Sequence, residues 1–279
     1  MRHLAARDGT QLAIHEVGDG PPLLCVPGGP GRAAEYLEDL GGLTKTRKLL
    51  LLDNRGTGSS GLPADRDSLR LDRLPDDIED VRLALGLDPM DVLAHSAGCV
   101  VALLHTARHP SSVRRLVLVT PSGRVFGWTP EDLDTIRGAR SGEPWYAEAA
   151  EAQAALDDDP RLARHLEPVT RPFWYARWDE REQAHAAAGS RQMSMRAYAG
   201  FRPEGDYDVD AARESLRSIA ADVLVVVGER DAVTGVSVAD KYCALLPHSR
   251  RVVVQAASHY PWVDEPDAFR DVVEQFLVG

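Results

Sequence analysis

The sequence predicts an α/β fold: a mostly parallel central sheet flanked by helices, with an inserted helical lid. Three observations predict it. Short apolar runs alternate with helix-patterned stretches from residue 22 to residue 119. From about Ser122 to Ser215 no convincing strand pattern occurs, and this stretch holds Trp128, Trp145, Trp174 and Trp178, four of the five tryptophans. Apolar runs then return at Asp222–Gly228 and Arg251–Val254. Parallel strands joined by helical crossovers are the economical solution, and their handedness is nearly fixed. The expected division is a core from residues 1–121 and 216–279, with residues 122–215 as the lid.

The elements follow in order. Residues 2–6 and 11–17 flank Asp8-Gly9, a pair that between alternating runs signals a β-hairpin. Pro22–Val26 and Lys48–Leu52 are short apolar runs suited to strands buried on both faces. Between them, Ala33 to about Leu40 has a helical pattern. A polar, Gly-rich loop leads to Pro75. Ile78, Val81, Leu85 and Leu87 then space an amphipathic helix with acids in its first turn. An apolar run from Met90 enters Ala94-His95-Ser96-Ala97-Gly98, and another, Cys99–Leu104, leaves it. Val113–Val119 is a further strand. In the lid, helical patterns recur near 130–140, 144–156, 160–167 and 179–198. Helices from about Val236 to Leu246 and from Pro266 to Leu277 complete the core.

The chain has 279 residues, 44% hydrophobic and 27% charged, an ordinary globular composition long enough for a sizeable core. A net charge of -11 argues against nucleic-acid binding and mildly favours neutral or cationic small substrates. Cys25, Cys99 and Cys243 all lie in apolar stretches, so a reducing compartment is expected rather than a disulfide framework. Met1–Gly9 has no apolar h-region and no run approaches a membrane span, so a cytoplasmic protein without membrane attachment is expected. No His/Cys/Asp cluster has ligand spacing and no cofactor motif occurs, so neither metal nor cofactor is expected. The sequence leaves the oligomeric state open.

Ser96 sits where a strand turns sharply into a helix, the setting of a nucleophile elbow. Small neighbours are needed because strand and helix nearly touch; Ala94 stands where the usual pattern has Gly. A serine hydroxyl is a poor nucleophile near neutral pH, so it needs a base within hydrogen-bond reach and an acid to orient that base. Two later strand ends supply candidates: Gly228-Glu229-Arg230-Asp231 and Ala257-Ser258-His259-Tyr260. In a parallel sheet, functional groups gather at the carboxyl ends of strands. Ser96, Asp231 and His259 all lie just past such ends. Asp231 could instead merely cap its loop, and Glu229 is the competing acid. His248 precedes the last strand, at the wrong end of the sheet. His95 adjoins the serine, but an elbow points neighbouring side chains apart.

Backbone donors must also meet the charge that develops on the substrate oxygen. Ala97 N–H, next after the nucleophile, is one candidate. The Pro27–Gly31 loop is the other source; Pro30 has no N–H, so Gly29 is the donor expected, with Gly28 as the alternative. Neither a G-x-G-x-x-G pattern nor a Walker-type Lys follows, so phosphate binding by this loop is disfavoured.

These motifs resemble the α/β-hydrolase superfamily, and more narrowly its proline iminopeptidase branch. Pro27-Gly28-Gly29-Pro30-Gly31 resembles that branch's H-G-G-P-G oxyanion loop, with Pro27 in place of His. Asp53-Asn54-Arg55-Gly56-Thr57-Gly58-Ser59 resembles its D-x-R-G-x-G-x-S loop, and Ala94–Gly98 its elbow. The resemblance spans residues 10–120 and 220–279. It implies a serine hydrolase acting through an acyl-enzyme on a small-molecule or short-peptide substrate. It also implies lid glutamates that bind a substrate ammonium. The corresponding stretch, Gln192-Met193-Ser194-Met195-Arg196-Ala197-Tyr198, keeps an aromatic residue but has no acid. Glu204 is the candidate substitute. Trp145, Trp174 and Tyr198 are candidate pocket residues. Asp53 and Arg55 are expected to pair and fix the loops around the elbow. The reading is an esterase or amidase, with an aminopeptidase or a non-hydrolytic binding protein of the same fold as the alternatives.

Overall fold

The computed structural model describes residues 1–201 and 208–279. Eight strands form one sheet: β1 (Arg2–Ala5), β2 (Gln11–Val17), β3 (Pro22–Val26), β4 (Lys48–Asp53), β5 (Met90–His95), β6 (Val113–Val119), β7 (Asp222–Gly228) and β8 (Ser249–Val254). Their order is β1-β2-β4-β3-β5-β6-β7-β8. β1 and β2 form the expected hairpin, and β2 runs antiparallel to β4; from β4 to β8 every pairing is parallel.

The apolar runs explain why the strands are continuous rather than alternating in character. Leu24, Val26, Val92, Ala94, Leu116, Leu118, Val223 and Val225 face one layer. That layer contains α1 (Leu74–Leu85), α2 (Ala97–Arg108) and part of the later helix at Val238–Leu245. The residues between them, Leu23, Cys25, Leu93, Val117, Leu224 and Val226, face the other layer. There they meet Tyr36, Leu37, Trp262, Phe269 and Val273. A period of two with both faces buried gives an unbroken apolar run.

Between Val119 and Asp222 lie six helices among the described residues: α3 (Leu133–Gly138), α4 (Tyr146–Asp158), α5 (Ala163–Thr170), α6 (Glu180–Gln192), α7 (Met195–Gly200) and α8 (Val209–Ser215). Phe126 and Ala212 join the same core cluster as Val100, so both ends of this stretch are seated on the sheet layer. α9 (Val238–Leu245), α10 (Pro261–Asp264) and α11 (Pro266–Val278) complete the chain.

Two expectations need correction. The stretch from Ala33 to Leu40 is not a helix but a single 3-10 turn, Ala34–Leu37, followed by left-handed residues at Glu38 and Leu40. The turn stops because Glu38 leaves helical geometry at φ 51°, while at its start Asp53 Oδ1 accepts the Ala34 N–H at 2.8 Å and holds the turn against the end of β4. The pattern expected as one helix over 179–198 is two, because Met193 is extended and pairs with Arg32 in an isolated bridge.

Candidate active site

Ser96 occupies the turn between β5 and α2 with φ 52° and ψ -120°, a conformation that costs a non-glycine residue about 1–3 kcal/mol. Packing enforces it. A Cβ on Gly98 would collide with the carbonyls of Val26 and Pro27, so β3 and α2 approach as closely as backbone allows. Ala94 is wholly buried and pairs with Val26, so its methyl is accommodated on the sheet face.

The loops after β7 and β8 touch each other. Arg230 N–H donates to Ala257 O at 2.8 Å, and any side chain on Gly228 would strike the Ala257 and Ser258 carbonyls. This contact brings Asp231 to His259, with Oδ2 3.2 Å from Nδ1. Asp231 Oδ1 accepts the N–H groups of Val233 and Thr234 at 2.9 and 3.0 Å, and Thr234 Oγ1 donates to Oδ2. Burial pushes the Asp231 carboxyl upward, but the His259 charge and these donors outweigh it and hold its pKa below the ordinary value. Glu229 is turned away, its Oε2 accepting Ala256 N–H at the surface. His248 directly precedes β8, the last strand, and its carbonyl accepts Val223 N–H at the start of the neighbouring β7, so it lies at the far end of the sheet from Asp231 and His259. A recess of about 380 Å³ lies at that end of the sheet, lined by Arg115, Asp222, His248 and Arg250 among others, and none of Ser96, Asp231 or His259 reaches it.

His95 is what sequence reasoning missed. It is buried, its ring lies 4.8 Å from that of His259, and its Nε2 is 3.0 Å from His259 O. A carbonyl only accepts, so Nε2 carries the proton and Nδ1 is an acceptor. Tyr36 Oη, 2.7 Å from Nδ1, therefore donates to it. The same phenol oxygen accepts Gly28 N–H at 2.6 Å. Burial holds His95 well below its ordinary pKa, so it stays neutral and the direction of the chain is fixed. Gly28 N–H is thereby committed, whereas the N–H groups of Gly29 and Ala97 have no acceptor among the described residues. Ser96 Oγ likewise makes no hydrogen bond among the described residues, and Ser96 is 9% exposed. Thr120 Oγ1 also donates to His259 O, at 3.1 Å, and fixes the far side of the same carbonyl.

The candidate pocket residues separate. Trp174 sits at the site: its ring meets His259 edge-on at 5.2 Å and its carbonyl accepts His259 N–H. Tyr198, half-buried on α7, lies against Gly31 of the Pro27–Gly31 loop. Trp145 packs one step further out, edge-on to Phe173 at 5.1 Å. Glu204 lies outside the described residues.

The Pro27–Gly31 loop and the residues after it are stitched to the junction of α6 and α7. Ala33 N–H donates to Gln192 O at 2.9 Å and Ser194 N–H to Gly31 O at 2.8 Å. The buried Arg32 guanidinium donates to Gln192 Oε1, Tyr260 Oη and His185 O, all neutral acceptors, and stacks over Tyr36.

Asp53 and Arg55 both brace loops, but not as a pair. Asp53 accepts from His15 Nε2, Ala34 N–H and Ser59 N–H. Arg55 instead donates to Asp77 and Asp8. The expectation that no cluster has ligand spacing is also corrected: Glu79, His105 and His109 gather ligand atoms within 4.8 Å across α1 and α2. The Glu79 carboxylate there is already held by Arg82 and His105. No helix among the described residues is long and apolar enough to cross a membrane.

Residues 21–266 match the model of the alpha/beta hydrolase fold family. The chain belongs to the α/β-hydrolase family. This hydrolase is similar to proline iminopeptidase from Heyndrickxia coagulans, with 26% identity across 94% of this chain and 92% of that protein. Its fold matches an esterase from Exiguobacterium antarcticum (TM-score 0.77, 22% identity, 99% of each chain). It equally matches a proline iminopeptidase from Mycobacterium smegmatis (TM-score 0.76, 22% identity, 99% of this chain and 97% of that one). The branch that the sequence motifs resemble thus recurs among the relatives.

Proposed function

We propose that this α/β-hydrolase cleaves a small ester or amide through an acyl-enzyme, with Ser96 as nucleophile, His259 as base and Asp231 as the acid that orients it. The contact between Asp231 Oδ2 and His259 Nδ1, at the loops beside the strained Ser96 turn, carries this reading. Ser96 Oγ attacks the carbonyl carbon and passes its proton to His259 Nε2. The N–H groups of Gly29 and Ala97 receive the oxyanion. His259 returns the proton to the departing alcohol or amine as the acyl–oxygen or acyl–nitrogen bond breaks. Water, deprotonated by the same imidazole, then releases the acid.

Residues 122–215 act as a cap in this reading, and Trp174 and Tyr198 line the substrate's approach. The chain works without cofactor or metal, off the membrane and away from nucleic acid, in the cytoplasm. An ester or small amide is favoured over a peptide N-terminus by one observation. Gln192, not an acid, meets the oxyanion loop, and its amide oxygen accepts from the buried cation Arg32. A substrate ammonium at that place would meet like charge without a carboxylate partner. The aminopeptidase reading survives only if Glu204 or another lid acid supplies one.

Labelling with a fluorophosphonate probe tests the proposal. Wild type reacts and Ser96→Ala does not; equal labelling of the two proteins overturns the assignment. Acyl esters set against aminoacyl arylamides then separate the two substrate classes.

A further inference from the structure

Two lid side chains hold three buried N–H donors that make no hydrogen bond among the described residues. Arg140, 5% exposed, follows α3, and its Nη1 donates to Tyr175 O at 2.9 Å. Its Nε and Nη2 have no hydrogen-bond partner among the described residues, and neither has Trp145 Nε1. The guanidinium carbon lies 4.8 Å from the Trp145 ring centroid. Buried donors are normally satisfied, and a charged one left unmet is a costly exception that calls for an explanation.

The particular donors left free are informative. Nε–H and Nη2–H lie side by side on one edge of the guanidinium and form the parallel fork that matches the two oxygens of a carboxylate. The bond from Nη1 to Tyr175 O fixes the plane of that fork. The nearest carboxylate is Glu143, whose Oε1 is 3.5 Å from Nε and whose side chain is 42% exposed, so it can retreat to solvent. Burial lowers the Arg140 pKa and the neighbouring Arg230 adds to that effect, together outweighing the opposing charges of Glu143 and Asp264.

Packing links these donors to the candidate site through one cluster. Trp145 and Trp174 pack on one small cluster of Ala149, Phe173 and Ala232. Trp174 meets the His259 ring, and Ala232 follows Asp231 directly in the chain. The acyl part of a substrate stays bound through both acylation and deacylation, so a deeply buried anchor suits that part best.

We propose that Arg140 and Trp145 form a carboxylate subsite, and that this hydrolase acts on substrates whose acyl group ends in a carboxylate. The inference rests on the reading of Ser96 as the nucleophile. It also runs against the preference for neutral or cationic substrates that the net charge suggests, because the local field of Arg140 and Arg230 decides at this distance.

A matched pair of esters tests it: mono-p-nitrophenyl glutarate and p-nitrophenyl pentanoate have the same carbon count and differ in the terminal group. Wild type should prefer the glutarate in kcat/KM by at least about tenfold. Arg140→Gln should lower that ratio about tenfold. Trp145→Phe, which keeps the ring packing and loses the N–H, should lower it about threefold, and it serves if the arginine variant does not fold. A wild-type ratio near one, or a ratio unchanged in the variants, overturns the proposal. If neither ester is cleaved and the fluorophosphonate does not label Ser96, the hydrolytic reading has failed instead. Calorimetry with glutarate then decides the subsite: saturable binding lost in Arg140→Gln upholds it, and absence of binding overturns it.

Discussion

Tyr36 Oη stands 2.7 Å from His95 Nδ1 and 2.6 Å from Gly28 N, so a single phenol ties the Pro27–Gly31 loop to the residue before Ser96. Tyr36→Phe keeps the ring and removes both bonds. Gly28 N–H and His95 Nδ1 are then left buried without partners, at about 1–3 kcal/mol each. The expected effect on turnover is a loss of about ten- to a hundredfold in kcat, with a smaller change in KM. The loop shift misplaces Gly29 N–H for the transition state rather than for the bound substrate. Steady-state kinetics on an activated ester check the split; a purely KM effect overturns the positioning role.

Asp231 and Glu229 compete on sequence and part company in space. Asp231→Asn should reduce kcat by about 10⁴-fold, because an amide presents the wrong partner to His259 Nδ1 and disfavours the working tautomer. Glu229→Gln should stay within about twofold of wild type, since its carboxylate only receives Ala256 N–H at the surface. Equal losses in the two variants would remove Asp231 from its assigned place.

Asp264 carries a pH dependence of the fold. Its Oδ2 accepts Ser258 N–H at 2.8 Å and its Oδ1 accepts Ala176 N–H at 3.1 Å, which anchors the residue before His259. Burial, opposed by these two bonds, raises its carboxyl to about 7. The folded state therefore holds this proton where the unfolded chain has released it. Stability from this group falls as pH rises from about 4 to about 7 and is level above that. Between pH 5 and pH 8 wild type should lose about 2–3 kcal/mol relative to Asp264→Asn, at 1.36 kcal/mol per pH unit. Urea unfolding of both proteins at the two pH values reads this directly. A gap between them that does not change with pH would show that the carboxyl is ionised throughout.

Arg55 is buried between Asp77 and Asp8, with Nε 2.8 Å from Asp77 Oδ2 and Nη1 2.7 Å from Asp8 Oδ2. Asp77→Ala strands most of that charge inside the protein, which should cost about 3–5 kcal/mol. The denaturant midpoint should fall with little change in the slope of the transition. A midpoint unmoved by the substitution would mean that Asp8 alone holds the guanidinium.

The sheet was legible because each central strand is buried on both faces and so is written as an uninterrupted apolar run. Asp231 and His259 were legible for a related reason, since each closely follows such a run. Tyr36 was not, because Ala34, Tyr36 and Leu37 share the spacing of a helix, whereas the chain stops after one turn as Glu38 and Leu40 take positive φ. His95 was set aside by a rule that is correct for its Cβ direction. The rule is silent on a ring that reaches across to the carbonyl of residue 259. The Arg140 fork could not be read at all: which nitrogen is occupied depends on Tyr175 O, thirty-five residues away.

The backbone pairing of Gly31 and Ala33 with Ser194 and Gln192 has a kinetic meaning. If the cap swings outward at this seam, the strand of loop that carries Gly29 loses its outer support. Admission of substrate and readiness for chemistry are then mutually exclusive states of one molecule. Such a molecule would work as an airlock, its apparent affinity scaled by the fraction of time the outer door stands open.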